Sequence, residues 1–371
     1  MKKPRILFTV VLIFMVFSSI NIVNADDYQV EFLLRGTDRD FTYDFEIVFP
    51  ESLFEYYADK SHSITSVNEF SGFVTPYVFE PVANRIWEIN NNDEDFANSV
   101  LMIVHQMEYE ETTPIKYPVE TMIDGKGDCD LFSIIAASIM KAGGLDVILL
   151  YYEEQTHMNI GIALSSSPQD TRDSAYHVSY DNNQYYIAEC TGENWIDGWR
   201  VGECPPELKD VNAEVISLES SEKVAPGQTS ASFASLEASI LSLDITPIVS
   251  FQNTDLNLRG QLSPSNENHN ITFYASINNS PWTVIGSTST KPNGYFQYLL
   301  KNEFSGIISI RASWSGDNQY AGSVSATKNI TLIPLIIVEL TILVIVLGVA
   351  GSILIVITKR SQNKEIQIEY W

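Results

Sequence analysis

The sequence predicts an α+β domain built round one buried helix, then an all-β sandwich, then a single membrane-spanning helix. Three observations predict it. Leu131, Ile134, Ile135 and Ile139 recur at helical spacing after Cys129, and strand-like runs follow. From Ile245 to Ile333 about seven short alternating strands are separated by polar turns. Leu335 to Thr358 is almost unbroken apolar sequence, long enough at about 1.5 Å per residue to cross a hydrocarbon core of roughly 30 Å.

The ends of the chain carry the first signals. Lys2, Lys3 and Arg5 precede an apolar run from Ile6 to Ile20, and Val23-Asn24-Ala25 offers a small residue at a cleavage position. That is the layout of a secretory signal peptide, residues 1–25, with an uncleaved anchor as the alternative. At the other end Lys359, Arg360 and Lys364 follow the apolar run (334–358), which predicts a cytoplasmic tail, 359–371, and places about 26 to 332 outside. The chain of 371 residues has 22 Lys and Arg against 47 Asp and Glu, a formal charge of −25. An excess that acidic repels phosphate backbones and anionic lipid, so a nucleic-acid partner is not expected. With 45% hydrophobic residues, sizeable cores can be buried.

The first folded unit is expected over 26–212. Short mixed strands such as Tyr28 to Leu34 open it, and helical patterns follow near Val78–Asn90 and Phe96–Tyr109. Pro118 and the Asp124-Gly125-Lys126-Gly127 stretch read as a loop. The helix starting near Cys129 is stopped by Gly143-Gly144, and Ala136, Ala137 and Met140 make its other faces apolar, so it is central and buried. Strands are predicted at Asp146–Tyr152, Met158–Leu164, Tyr176–Tyr180 and Tyr185–Glu189. Residues 213–244, rich in Ser, Ala and Glu, read as a linker. The alternating strands of 245–333 have the spacing of an immunoglobulin-like sandwich. Asn270, Asn278 and Asn329 sit in N-x-S/T tripeptides there and are glycosylation candidates.

The chemistry gathers round Cys129. A thiol nucleophile needs a thiolate, a base that makes and holds it, and a group that orients the base. Cys129 opens a helix, where the macrodipole favours negative charge. His157 enters a strand, and Glu189 ends a mostly apolar one, where a charge needs a partner such as imidazolium. Gln106, on the preceding helix, is a candidate oxyanion donor, or else simply an exposed helix glutamine. His105 and His177 read as structural histidines. Cys190 and Cys204 flank a short loop in an oxidising compartment and are expected to form a disulfide, with two independent buried thiols as the alternative.

The segment YPVETMIDGKGDCD, Tyr117 to Asp130, resembles the nucleophile motif of transglutaminase-like proteins, especially archaeal ones. HMNIGIAL, His157 to Leu164, resembles their histidine strand, and YYIAECTGENWIDGWRVGECP, Tyr185 to Pro205, their acid strand and aromatic loop. The resemblance covers roughly residues 80 to 207. It implies a papain-like core, the cysteine-bearing helix packed on an antiparallel sheet, and a Cys129-His157-Glu189 triad for acyl transfer. Many members carry Asp at the third position, and Glu189 departs from that. WSGDNQYAGSVS, Trp314 to Ser325, resembles the last strands of Ig-like repeats on prokaryotic surface proteins.

No zinc pattern, phosphate loop or dinucleotide fingerprint appears, and Asp124, Asp128 and Asp130 do not match a calcium-loop spacing, so no cofactor or metal is expected. The expected function is a surface-anchored hydrolase of peptide or isopeptide bonds acting on an extracellular protein or peptide. The alternatives are crosslinking with an amine acceptor and a non-catalytic binding protein on the same fold.

Overall fold

The computed structural model describes residues 27–192, 194–265 and 267–365. The segment expected as a signal peptide, residues 1–25, and the tail from 366 onward lie outside the described residues. Strands β1 (Tyr28–Leu34) and β2 (Tyr43–Phe49) pair antiparallel, Tyr28 opposite Phe49 and Leu34 opposite Tyr43. Helices α1 (Glu51–Ala58), α2 (Glu80–Glu88) and α3 (Asp93–Val104) follow. α3 starts where Asn92 Oδ1 accepts from the Asp95 N–H at 2.9 Å, satisfying a donor that has no intrahelical partner. A short parallel pair, β3 (Glu108–Tyr109) with β4 (Lys126–Gly127), brackets α4 (Pro118–Asp124). The stretch expected as loop therefore begins with a helix. Pro118 at its first turn is pre-set for helical φ, and the Glu120 carboxylate accepts from the Tyr117 N–H at 3.0 Å.

Helix α5 (Cys129–Ala142) is the centre of the first unit, as its all-round apolar pattern predicts. Its residues from Leu131 to Met140 are all buried. Gly143 ends it where a side chain would collide with the ring of Phe96, 2.3 Å from a built Cβ. Against α5 lies an antiparallel sheet of β5 (Asp146–Tyr152), β6 (His157–Ala163), β7 (His177–Tyr180), β8 (Asn183–Ala188) and β9 (Glu214–Ile216), in the order β7-β8-β6-β5-β9. Side chains alternate across it. Leu149, Met158, Ile160, Ile162 and Ala188 join α5 in the main core, while Ile148, Leu150, Tyr152, Tyr185 and Ile187 pack on the other face. The unit is mixed α+β.

The segment 213–244 is not a free linker. β9 pairs with β5, and β10 (Ser230–Ser232) pairs with β2. Between them the Glu222 carboxylate accepts from Tyr56 Oη at 2.9 Å and also from Tyr57 and Lys60. Ladder bonds use backbone groups alone, so small Ser and Ala residues complete sheet edges as well as larger ones do.

The β-rich unit begins at Ile240, earlier than the expected boundary of 245. It comprises β11 (Ile240–Thr246), β12 (Val249–Phe251), β13 (Leu256–Ser263), β14 (Asn270–Ile277), β15 (Thr283–Ser289), β16 (Tyr295–Leu300), β17 (Gly306–Trp314), β18 (Ser323–Val324) and β19 (Lys328–Ile333). One sheet runs β11-β13-β16. The other runs β12-β19-β17-β14-β15, with β18 on β17. Leu243, Leu258 and Phe296 from the first meet Phe273, Ile310 and Ile330 from the second in one core. Asn270, Asn278 and Asn329 are exposed. The units touch: Tyr77 and Tyr274 share a hydroxyl hydrogen bond, and Arg311 Nη1 donates to the Ser52 carbonyl at 3.1 Å. β19 leads into α6 (Leu335–Glu365), whose apolar stretch Leu335–Thr358 has a mean hydropathy of 3.0 and is long enough to cross a membrane.

Candidate active site

Three separate elements deliver the triad residues predicted from sequence. Asp128 caps α5, its Oδ1 accepting from the Leu131 N–H at 3.4 Å, and this places Cys129 at the first helical position. Cys129 is 9% exposed. It points at the Thr156 carbonyl, 3.9 Å away, and Thr156 holds a left-handed φ of 46°, unusual for a β-branched residue. His157 begins β6 immediately afterwards. β6 lies between β5 and β8 with Ile160 opposite Ala188, so Glu189, the residue after β8, comes beside Asn159 and within reach of His157.

His157 Nε2 stands 2.9 Å from Glu189 Oε2, and Cys129 lies near enough to the ring to raise its pKa. Burial works against a charged imidazole here. The hydrogen bonds and charges of Cys129 and Glu189 outweigh it and hold the His157 pKa up at about 10. Glu189 is fully buried, which by itself favours its protonated form, yet its pKa is lowered. His157 and Thr191 supply the reason. Its Oε1 accepts from the Thr191 N–H at 2.9 Å and Oγ1 at 2.6 Å, and its Oε2 accepts from Asn159 Nδ2 at 3.3 Å besides His157. A buried carboxylate persists when its lone pairs are this fully engaged.

Asn159 and Thr191 were not singled out from sequence. Both were findable: Asn159 is two residues from His157 on one strand and so shares its face, and Thr191 is two residues past Glu189. Tyr109 is a further neighbour. Partial burial, then the negative charges of Cys129 and Asp128, raise the pKa of its phenol. Asp130, beside the thiol, is pushed up to about 8 by burial and by its hydrogen bond and charge interaction with Asp128.

Two expectations are corrected. Gln106 is not an oxyanion donor. Its Nε2 donates to the carbonyls of Leu33 (2.9 Å) and Met102 (2.8 Å), and its Oε1 accepts from the Leu33 N–H at 2.8 Å. It mends the open edge of β1, leaving no amide hydrogen for a substrate. Cys190 and Cys204 are not disulfide-bonded; both are free thiols. Cys190 lies in the core on the α5 face of the sheet, whereas Cys204 packs in the cluster on the opposite face, with Tyr152 and Ile187. The sheet itself separates them.

His105 is buried, and burial lowers its pKa. Its Nε2 meets the Glu189 carbonyl oxygen at 3.0 Å, so the neutral ring supports the backbone behind the acid. His177 is exposed on β7 and packs edge-on to Tyr186.

No family model matches the chain, and no curated protein matches it. Solved structures do, among them the following three. One is a polysaccharide monooxygenase, CBM33, at 12% identity over 23% of this chain and 58% of that one, with a TM-score of 0.20. Another is a chain from a structure of T cell specificity and activation by the bacterial superantigen toxic shock syndrome toxin-1. It is 12% identical over 26% of this chain and 99% of that one, with a TM-score of 0.20. The third is Spo0M, a sporulation control protein from Bacillus subtilis, at 8% identity, 26% and 50% coverage and a TM-score of 0.19. The chain thus spans little more than half of the first of these, and likenesses this slight carry no argument about fold or function.

Proposed function

We propose that this protein is a membrane-anchored thiol acyl-transfer enzyme of transglutaminase-like type, with a papain-like core, that hydrolyses peptide or isopeptide bonds outside the cell. One observation carries the reading: a helix-opening thiol lies beside an imidazole that meets a buried, fully satisfied carboxylate. In this scheme the Cys129 thiolate attacks the amide carbonyl carbon, and the carbonyl oxygen takes up the negative charge. The Cys129 N–H, the first of α5 and without an intrahelical acceptor, donates to that oxyanion. As the C–N bond breaks, the His157 imidazolium gives its proton to the leaving amine. Neutral His157 then takes a proton from water, which attacks the thioester carbon, and the thiol is regenerated with release of the carboxylic acid. Glu189 orients the ring throughout and stabilises its charge.

Helix α6 is proposed to hold this site at the outer surface, with the β-sandwich, read as Ig-like, between them. A tag placed after Trp371 should survive protease added to intact cells, and its digestion contradicts that orientation. For the chemistry, mass spectrometry of peptides incubated with the protein should show cleaved amides carrying one added water. Amine-linked products without hydrolysis would replace water with an amine acceptor, and unchanged peptides would contradict turnover altogether.

A further inference from the structure

Three of the chain's nine arginines, Arg35, Arg39 and Arg200, line one recess of about 100 Å³ that lies behind the acid strand. Two of them are already matched. Arg39 grips Asp170 with both ends of its guanidinium, Nη1 at 2.7 Å from Oδ1, and lies 3.9 Å from Asp95. Arg200 Nη1 donates to Asp170 Oδ1 and to its carbonyl, both at 3.0 Å. Asp197, the third carboxylate of the wall, lies near Arg172, whose guanidinium is held by Glu203 and donates to the Asp197 backbone carbonyl at 3.0 Å.

Arg35 differs. Its Nε donates to Thr42 Oγ1 at 3.2 Å, its guanidinium lies 5.9 Å from the centre of the Trp195 ring, and among the described residues it forms no ion pair. Beside it in the same wall is Asn98, only 8% exposed. The Val201 N–H donates to Asn98 Oδ1 at 3.0 Å and so fixes the amide, while among the described residues Nδ2 has no hydrogen-bond partner. A buried N–H without an acceptor is unfavourable and rare. Two unfilled donors, one cationic, therefore share a small recess walled by an indole.

We propose that this recess binds a carboxylate group, whose oxygens accept from the Arg35 guanidinium and from Asn98 Nδ2. Planar carboxylates match the guanidinium fork, and a recess of about 100 Å³ has room for one such group. Such a group comes from a free small acid or from the C-terminus of a peptide. The inference does not rest on the thiol chemistry.

The test uses the full chain in detergent micelles. Thermal unfolding is followed against increasing acetate or N-acetylglycine, with sodium chloride at matched ionic strength as the control. Acetate and N-acetylglycine should give a saturable rise in Tm that chloride does not. Equal affinities assign the site to free acids, and tighter N-acetylglycine assigns it to chain termini. Arg35→Gln should weaken the apparent affinity by at least about tenfold, as expected for losing a charged hydrogen bond. Asn98→Asp keeps the acceptor for Val201 but sets a carboxylate beside Arg35. It should raise the starting Tm and abolish the response, and it decides the matter alone if Arg35→Gln does not fold. Absence of a saturable response, or a response that Asn98→Asp leaves intact, overturns the proposal.

Discussion

The two units of the chain bury polarity in different ways. In the sandwich, the buried polar side chains are uncharged: Ser250, Ser276, Thr290, Asn302, Ser313, Ser323 and Ser325. The first unit buries Glu46, Glu120, Glu189 and Glu203 as well as His105. Three of those acids are ties between segments. Glu46 accepts from the Leu236 N–H at 2.9 Å, Glu120 closes the start of α4 and meets His62, and Glu203 takes the Arg172 guanidinium. Glu189 differs in kind, because the imidazole it holds also lies near the Cys129 thiol. A fold that needs only stability is served by the sandwich's solution. A buried carboxylate whose partner is a second reactive group indicates that something other than stability shaped the position.

The sharpest break of that comparison is a pair of truncations. Glu189→Ala leaves the His157 charge and Asn159 without their partner and should cost about 3–5 kcal/mol, read from the denaturant midpoint, with loss of Cys129 reactivity. Ile310→Ala opens a cavity in the sandwich core and should cost about 2–5 kcal/mol, yet leave the alkylation rate of Cys129 unchanged. If the sandwich variant slows alkylation as much as the Glu189 variant does, the two units are not separate in the way described.

The pH dependence of stability sharpens it further. The His157 pKa is raised to about 10 in the fold, against about 6.5 in an unfolded chain. The imidazolium's contribution is therefore complete below about pH 6.5 and is lost as pH rises towards 10. Glu189 is shifted the other way, so its contribution is lost as pH falls through its lowered value. His157→Ala should flatten the decline in Tm between pH 7 and 10; an unchanged slope contradicts the assignment.

A smaller effect is expected next to the thiol. Asp130 is raised to about 8, so its ionisation opposes folding increasingly as pH climbs from about 4 to 8. Asp130→Asn should raise Tm at pH 8 by about 2–4 °C relative to its effect at pH 4. A Tm gain that is equal at both pH values would mean that Asp130 carries no buried proton.

Much of this site was legible in the sequence, and the misses have physical causes. α5 was legible because its apolar positions and the Gly143-Gly144 stop agree. His157 and Glu189 were legible because a polar residue in an apolar strand demands a partner. Gln106 was misassigned because helical periodicity gives the direction of a side chain but not what lies opposite, and its partner Leu33 is 73 residues away. The Cys190–Cys204 pairing failed because proximity in sequence does not say on which face of the sheet a residue returns after a loop. Of the edge strands in 213–244, β10 was hidden because Ser-Ala-Ser carries little strand signal while its backbone pairs fully, and β9 because Glu214-Val215-Ile216 is too short to show an alternation.

The central claim, that Cys129 works as a nucleophile held by His157, is most directly tested by the rate of iodoacetamide alkylation of Cys129 near pH 6. Mass spectrometry identifies the modified residue in the wild-type protein and in His157→Ala and Glu189→Gln. Labelling of Cys129 should be fast in the wild type, intermediate in Glu189→Gln, which keeps the shape but loses the charge, and slow in His157→Ala. Labelling of Cys129 at the rate of an ordinary thiol, unchanged by His157→Ala, would contradict that claim.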